Sequence, residues 1–372
     1  MALTDMTDLL GHAHQHGYAV GAFQIQDLAA LSGVMAAAEA SRAPLVLSPE
    51  ASDEARLELL MPAVETAARR ARVPVAIAVP VAAEPEAVAR AIRLGANGLC
   101  VEAPADSFPR SVQQVAAVAA TARECGLYVA AAPGRETVNT ATEARRFVER
   151  SDIDGLRPDL GLGDGEGKGR QDYARLKQIH QALDTPLSVH AGAGLTAEQY
   201  RRLIRHGVAA FGYRPAPAAS AEAVATDSEH LLRQWGAAGR AAEVAAQCRA
   251  WETAEQFLLC NLAEAADTDS ATALAHGEQT LAAIPGVREA VGAHTTSTDA
   301  PYSHAWRVRL CHPAAVTRLQ NHPATADCYG IHYFRAGGSP GEPAPRPLAP
   351  APDEAAATKV APLFPDSRRD RA

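Results

Sequence analysis

Short apolar runs alternate with longer amphipathic stretches over the first 215 or so residues of the chain. Runs rich in Val, Ala and Leu predict strands at 19–23, 44–48, 74–79, 98–102, 127–132, 155–160, 186–190 and 208–213. Stretches with helical spacing lie between them, among them 28–40, 84–94, 112–125, 142–150, 173–183 and 197–206. Gly95 and Gly207 stand just past predicted helix ends, where a left-handed residue closes the last turn. Thr140 with Glu143, and Thr196 with Gln199, have the spacing of capping boxes. Eight strand–helix units predict an α/β fold, a closed (β/α)8 TIM barrel. An open doubly wound sheet is the alternative, disfavoured because eight units close a barrel and no GxGxxG follows the first strand. Arg157-Pro158-Asp159 interrupts the sixth run and predicts a local distortion, since proline cannot donate to a ladder.

The pattern changes after residue 215. Residues 216–254 read as an alanine-rich helical extension or linker. From 255 to 336 the order of predicted elements is β-α-β-β-α-β, that of a small α+β ferredoxin-like domain. Residues 337–372, rich in Pro, Ala, Gly and charge, predict a disordered tail.

Hydrophobic residues make up 47% of the chain but aromatics only 5%, so Ala, Val and Leu must fill the core. A formal net charge of −8 argues against nucleic acid or an anionic membrane as partner. Lysine is confined to Lys168, Lys177 and Lys359, which leaves few candidates for Schiff-base chemistry. Six cysteines without a CxxC pair predict neither a disulfide framework nor a zinc knuckle, as expected of a cytoplasmic protein. Met1–Leu10 lacks the basic and apolar regions of a signal peptide, and no apolar run is long enough to span a membrane.

Chemistry concentrates where the seventh strand ends. Ser188-Val189-His190 leads into the glycine-rich turn Ala191-Gly192-Ala193-Gly194 and then the Thr196 helix start. Such a strand-to-helix turn can set an imidazole beside backbone N–H groups that hold an anion. Asp164 and Glu102 are candidate partners of His190, and Lys168 and Arg214 candidate anion contacts. The plainer readings are a structural histidine, a loop carboxylate capping a turn, a solvated lysine, and a glutamate paired with a nearby arginine.

Five segments stand in order along the chain: Gly17-Tyr18-Ala19-Val20-Gly21-Ala22-Phe23, Ala38 to Leu47, Val73-Pro74-Val75-Ala76, Gly161-Leu162-Gly163-Asp164-Gly165 with Lys168-Gly169, and His190-Ala191-Gly192-Ala193-Gly194. Through them residues 4 to 215 resemble the class II, metal-dependent, fructose- and ketose-bisphosphate aldolases. The resemblance implies a zinc held by three histidines, acting as a Lewis acid on a ketose carbonyl. Of those positions only His190 carries histidine; Pro80-Val81 stands for an Asp-His pair, Asp164 for the second histidine, Ala130-Ala131-Ala132 for a Glu-x-Glu pattern and Gly212 for a substrate asparagine. Glu102 stands where the resemblance puts an aspartate near the metal. The C-terminal segment resembles the dimeric stress-responsive α/β-barrel (Dabb) domain through Ile284-Pro285-Gly286-Val287, Tyr302-Ser303-His304 and Asn321-His322-Pro323-Ala324.

The expectation is therefore a class II aldolase homologue with a degenerate zinc site. It would bind a small phosphorylated or carboxylated ligand through Gly192, Ala193, Gly194, Lys168 and Arg214, or serve in a homo-oligomeric assembly. No cofactor is expected. The alternative is a lyase that rebuilds a divalent-metal site from His190 and Asp164 with Glu102.

Overall fold

The computed structural model describes residues 3–50, 54–103, 107–134, 138–160, 172–190, 195–260, 270–294, 302–325 and 328–335. Contacts divide the chain into two units, Met1–Arg123 with Leu127–Trp251, and Glu124–Gly126 with Glu252–Ala372.

The first unit opens on α1 (Met6–His16) and continues β1 (Val20–Ile25), α2 (Leu28–Ser41), β2 (Leu45–Pro49), α3 (Glu54–Arg70), β3 (Val75–Ala82), α4 (Pro85–Arg93), β4 (Gly98–Glu102), α5 (Phe108–Glu124), β5 (Tyr128–Ala132) and α6 (Ala141–Ser151). Then come β6 (Gly155–Leu156), α7 (Tyr173–Ala182), β7 (Leu187–His190), α8 (Ala197–Ile204), β8 (Val208–Tyr213), α9 (Ala221–Gln234) and α10 (Ala241–Gln247). The eight parallel strands close into a barrel in chain order, β8 pairing with β1 through Val20↔Ala210 to Phe23↔Tyr213. Helix ends follow local chemistry. The Thr140 and Thr196 hydroxyls accept from the Glu143 and Gln199 amides while those side chains reach back, completing both capping boxes. Gly95 and Gly207 are left-handed, at φ 94° and 85°.

Only β6 falls well short of the sequence reading. Pro158 has no N–H to continue the ladder, so β6 ends at Leu156, and one further bond, Arg157 N–H to Ala131 O at 2.8 Å, extends the pairing. The residue before a proline is restricted to extended backbone, which fixes the direction in which the Arg157 side chain leaves the strand.

Helix α1 closes the end of the barrel where the strands begin. Thr4 N–H donates to Val75 O, and the buried Asn97 joins the pieces by accepting from Ile77 N–H at 2.8 Å and donating to Thr4 O at 2.7 Å. Met6 sulfur fills the space left by the missing side chain of Gly98. Among the described residues, the opposite end, where the strands finish, holds a cavity.

In the second unit β9 (Thr253–Cys260), α11 (Ser270–Ala282), β10 (Val287–His294), β11 (His304–Leu310), α12 (Ala315–Gln320) and β12 (Cys328–Arg335) form an antiparallel sheet of order β10-β11-β9-β12. Its strands correct the reading of the cysteines. Register places Cys260 directly opposite Cys328, with Cα atoms 4.6 Å apart, and the two form a disulfide. Their separation of 68 positions hides this pairing from any spacing rule. The tail from 336 to 372 lies outside the described residues.

Candidate functional site

A cavity opens at the strand ends of the barrel, floored by Met6 and Leu10 of α1 and walled by alternate strand residues such as Ala22, Ala78, Tyr128 and Ala210. Active sites of parallel α/β barrels lie at this end, because the loops there are free to vary while the strands hold them. Its polar rim carries Gln24, Ser48, Glu50, Cys100, Glu102, Arg157, Ser188 and His190.

Three of these residues form one unit. Glu102 ends β4, Arg157 follows β6 and His190 ends β7. Arg157 Nη1 lies 2.9 Å from His190 Nε2, and its Nη2 pairs with Glu102 Oε1. A guanidinium donates and never accepts, so Nε2 accepts and its lone pair points at Arg157. Of the two readings of Glu102, site partner of His190 or glutamate paired with a nearby arginine, the pairing is present, and its arginine is Arg157, which the sequence marks only as part of the break in the sixth strand. Its nearest signal was its place just after a barrel strand.

Glycine on β8 makes room for the imidazole. His190 is registered against Gly212, where a Cβ would stand 2.6 Å from Nδ1 and 2.8 Å from Cε1. The ring therefore packs against the strand at the position where the resemblance puts an asparagine. Cys100, beside the same rim, has its thiol pKa pushed up by burial, with Arg157 pulling the other way and Glu102 adding to the rise.

Arg214 is differently placed from the expectation. Its Nη2 holds both oxygens of Glu50 at 2.8 and 3.0 Å, and its Nε pairs with Gln24. Its charge is thus engaged beside the rim, and its partners rather than Arg214 line the cavity. Pro80 lines the wall, whereas Val81 does not. Asp164, Lys168, Gly192, Ala193 and Gly194 lie outside the described residues.

A closed eight-stranded parallel barrel with its cavity at the strand ends is a TIM barrel. The chain belongs to the class II fructose-bisphosphate aldolase family, which matches residues 4–246 and so includes α9 and most of α10. It is 28% identical over 214 residues to the fructose-bisphosphate aldolase of Thermus caldophilus, covering 52% of this chain and 70% of that protein. Among solved structures it resembles the YdjI aldolase from Escherichia coli K12 (TM-score 0.58, 21% identity, 64% of this chain and 99% of that one). It also resembles the fructose-bisphosphate aldolase of Campylobacter jejuni (TM-score 0.53, 12% identity, 64% and 96%). At these identities the two structures show the shared fold.

Class II aldolases are zinc-dependent. The described residues of the mouth do not fit that ion. His190 Nε2 is taken by Arg157, whose guanidinium stands between that imidazole and Glu102, and Pro80 offers no ligand atom. Among the described residues, the group of three possible metal ligands lies elsewhere, at His12, His16 and Glu243. No described helix is long and apolar enough to cross a membrane.

Proposed function

We propose that the barrel mouth binds a small phosphorylated or carboxylated anion at Arg157, and that the zinc-dependent aldol centre of the family has decayed in this chain. The observation that carries this reading is the Arg157 guanidinium set between His190 and Glu102. A permanently protonated guanidinium occupies the ground where a divalent cation would draw on the same two side chains. Its fork does match phosphate and carboxylate. The Glu102 side chain is 56% exposed, so the pair it makes is worth only about 0–1 kcal/mol and an incoming anion can displace it. The glycine-rich turn at Gly192, Ala193 and Gly194, together with Lys168, would complete the anion site. Arg214 stays with Glu50.

Titration of inorganic phosphate into the full-length protein by calorimetry tests this. Binding should weaken by at least about tenfold in Arg157→Leu, the loss of a charge-assisted pair. Affinity unchanged by that substitution would overturn the assignment.

Membership of an aldolase family favours a second reading, in which Asp164, His190 and Glu102 hold a divalent metal and the protein is a lyase. It requires Arg157 to leave both partners. Metal-dependent cleavage of fructose 1,6-bisphosphate that vanishes in His190→Ala would establish it. The C-terminal segment, read as a Dabb-like domain, is proposed to join copies of the chain into a homo-oligomer; light scattering with and without residues 255–336 measures this.

A further inference from the structure

A second cluster lies at the closed end of the barrel. His12 and His16 stand four residues apart on α1, so they share one helix face, and Glu243 reaches them from α10. The ligand atoms of the three lie within 4.8 Å of one another. Both Nε2 atoms are 3.8 Å from the same oxygen, Glu243 Oε1.

The two imidazoles stack 4.0 Å apart on α1, and both present Nε2 to the same carboxylate. His16 Nδ1 is 2.9 Å from the His12 carbonyl oxygen, an acceptor only, so Nδ1 carries the proton and the lone pair is on Nε2. His12 Nδ1 meets the Tyr18 hydroxyl at 3.0 Å. Histidines that ligate metals are oriented in this way through their other nitrogen. The His12 side chain is only 4% exposed, and its Nε2 is buried without a hydrogen-bond partner. Burial lowers the His12 pKa, with His16 and Arg240 adding to the fall and Glu243 and Gln247 opposing it. Arg240 holds Glu243 Oε2 at 2.7 Å, which lowers the Glu243 pKa, keeps the carboxylate ionised and leaves Oε1 facing the imidazoles.

We propose that His12, His16 and Glu243 form a binding site for one divalent cation of the zinc class, with water in the fourth position, clasping α1 to α10. Two imidazoles and a carboxylate suit zinc, and tetrahedral coordination at roughly 2.0–2.1 Å needs ligand atoms about 3.3 Å apart. Binding requires the more exposed His16 ring to turn out of its stack on His12 and Glu243 to close on the pair. The site sits where α1 closes the barrel, away from the open mouth, on the face where barrel residues serve stability rather than catalysis. It stands independently of the function proposed for the mouth.

The test is zinc titration of full-length protein stripped with a chelator, followed by calorimetry, with thermal unfolding as a second readout. Wild type should take up one equivalent and unfold at a higher temperature with zinc. His16→Ala and Glu243→Gln should each weaken uptake by at least about tenfold and lose the rise in unfolding temperature. His14→Ala, whose ring faces Asp184 and His180 instead, should behave as wild type. No uptake by wild type, uptake unaffected by His16→Ala and Glu243→Gln, or loss on His14→Ala would overturn the site.

Discussion

Replacing Gly212 by alanine tests the geometry of the barrel mouth. The added Cβ would stand 2.6 Å from His190 Nδ1, 2.8 Å from Cε1 and 3.2 Å from Cγ. That is roughly 0.9 Å short of the ~3.5 Å at which carbon contacts become favourable. The ring cannot simply swing aside, because its Nε2 accepts from Arg157. Overpacking of this kind costs about 1–3 kcal/mol. Gly212 has a negative φ that alanine adopts freely, so the penalty is steric alone. With His190→Ala in the background the clash disappears, and Gly212→Ala should become neutral or stabilising by about 0.4–1 kcal/mol through the less flexible unfolded chain. The two substitutions should therefore couple by about 1–4 kcal/mol in a double-mutant cycle followed by thermal denaturation. An equal cost of Gly212→Ala in both backgrounds would refute the placement of the imidazole against β8.

Asn97→Ala should cost about 1–3 kcal/mol in chemical denaturation, since it removes the acceptor of the buried Ile77 N–H and a donor to the Thr4 carbonyl; a cost well under about 1 kcal/mol would show that α1 closes the barrel without it. Burial depresses the pKa of His12, His180 and His206 below that of a free imidazole, so between their folded values and about 6.5 the unfolded chain binds more protons. Stability of zinc-free protein should thus be full above about pH 6.5 and fall as the pH drops through the folded values. Thermal melts should show this, less steeply in His12→Gln, and a flat profile would contradict it. Peptide mapping without reductant should recover Cys260 linked to Cys328, and Cys260→Ser should destabilise the C-terminal unit by about 2–4 kcal/mol; unlinked peptides would contradict the pairing.

The barrel was legible because its signals are local. Strands β4 and β8 span the residues read from apolar runs, and both capping boxes form between residues three apart. The mouth was legible only in part. His190 announces itself at the end of a strand before glycines, but Arg157 gains its meaning from Glu102 and His190, 55 and 33 residues away. No period or motif relates the three. Arg214 was legible as a charge at a strand end, while the carboxylate that claims it sits on the far side of the barrel sequence, just after β2. The disulfide and the α1–α10 cluster share this character. Half of each is visible in the chain, and the partner is supplied by strand register or by the return of α10 to α1.

Zinc titration of the His16→Ala protein tests most directly whether Arg157 has displaced the family's metal from the mouth, because that variant lacks the cluster on α1. The expected result is no zinc uptake at the mouth, with phosphate still bound through Arg157. One equivalent of zinc that is lost on adding His190→Ala, accompanied by zinc-dependent cleavage of fructose 1,6-bisphosphate, would contradict it.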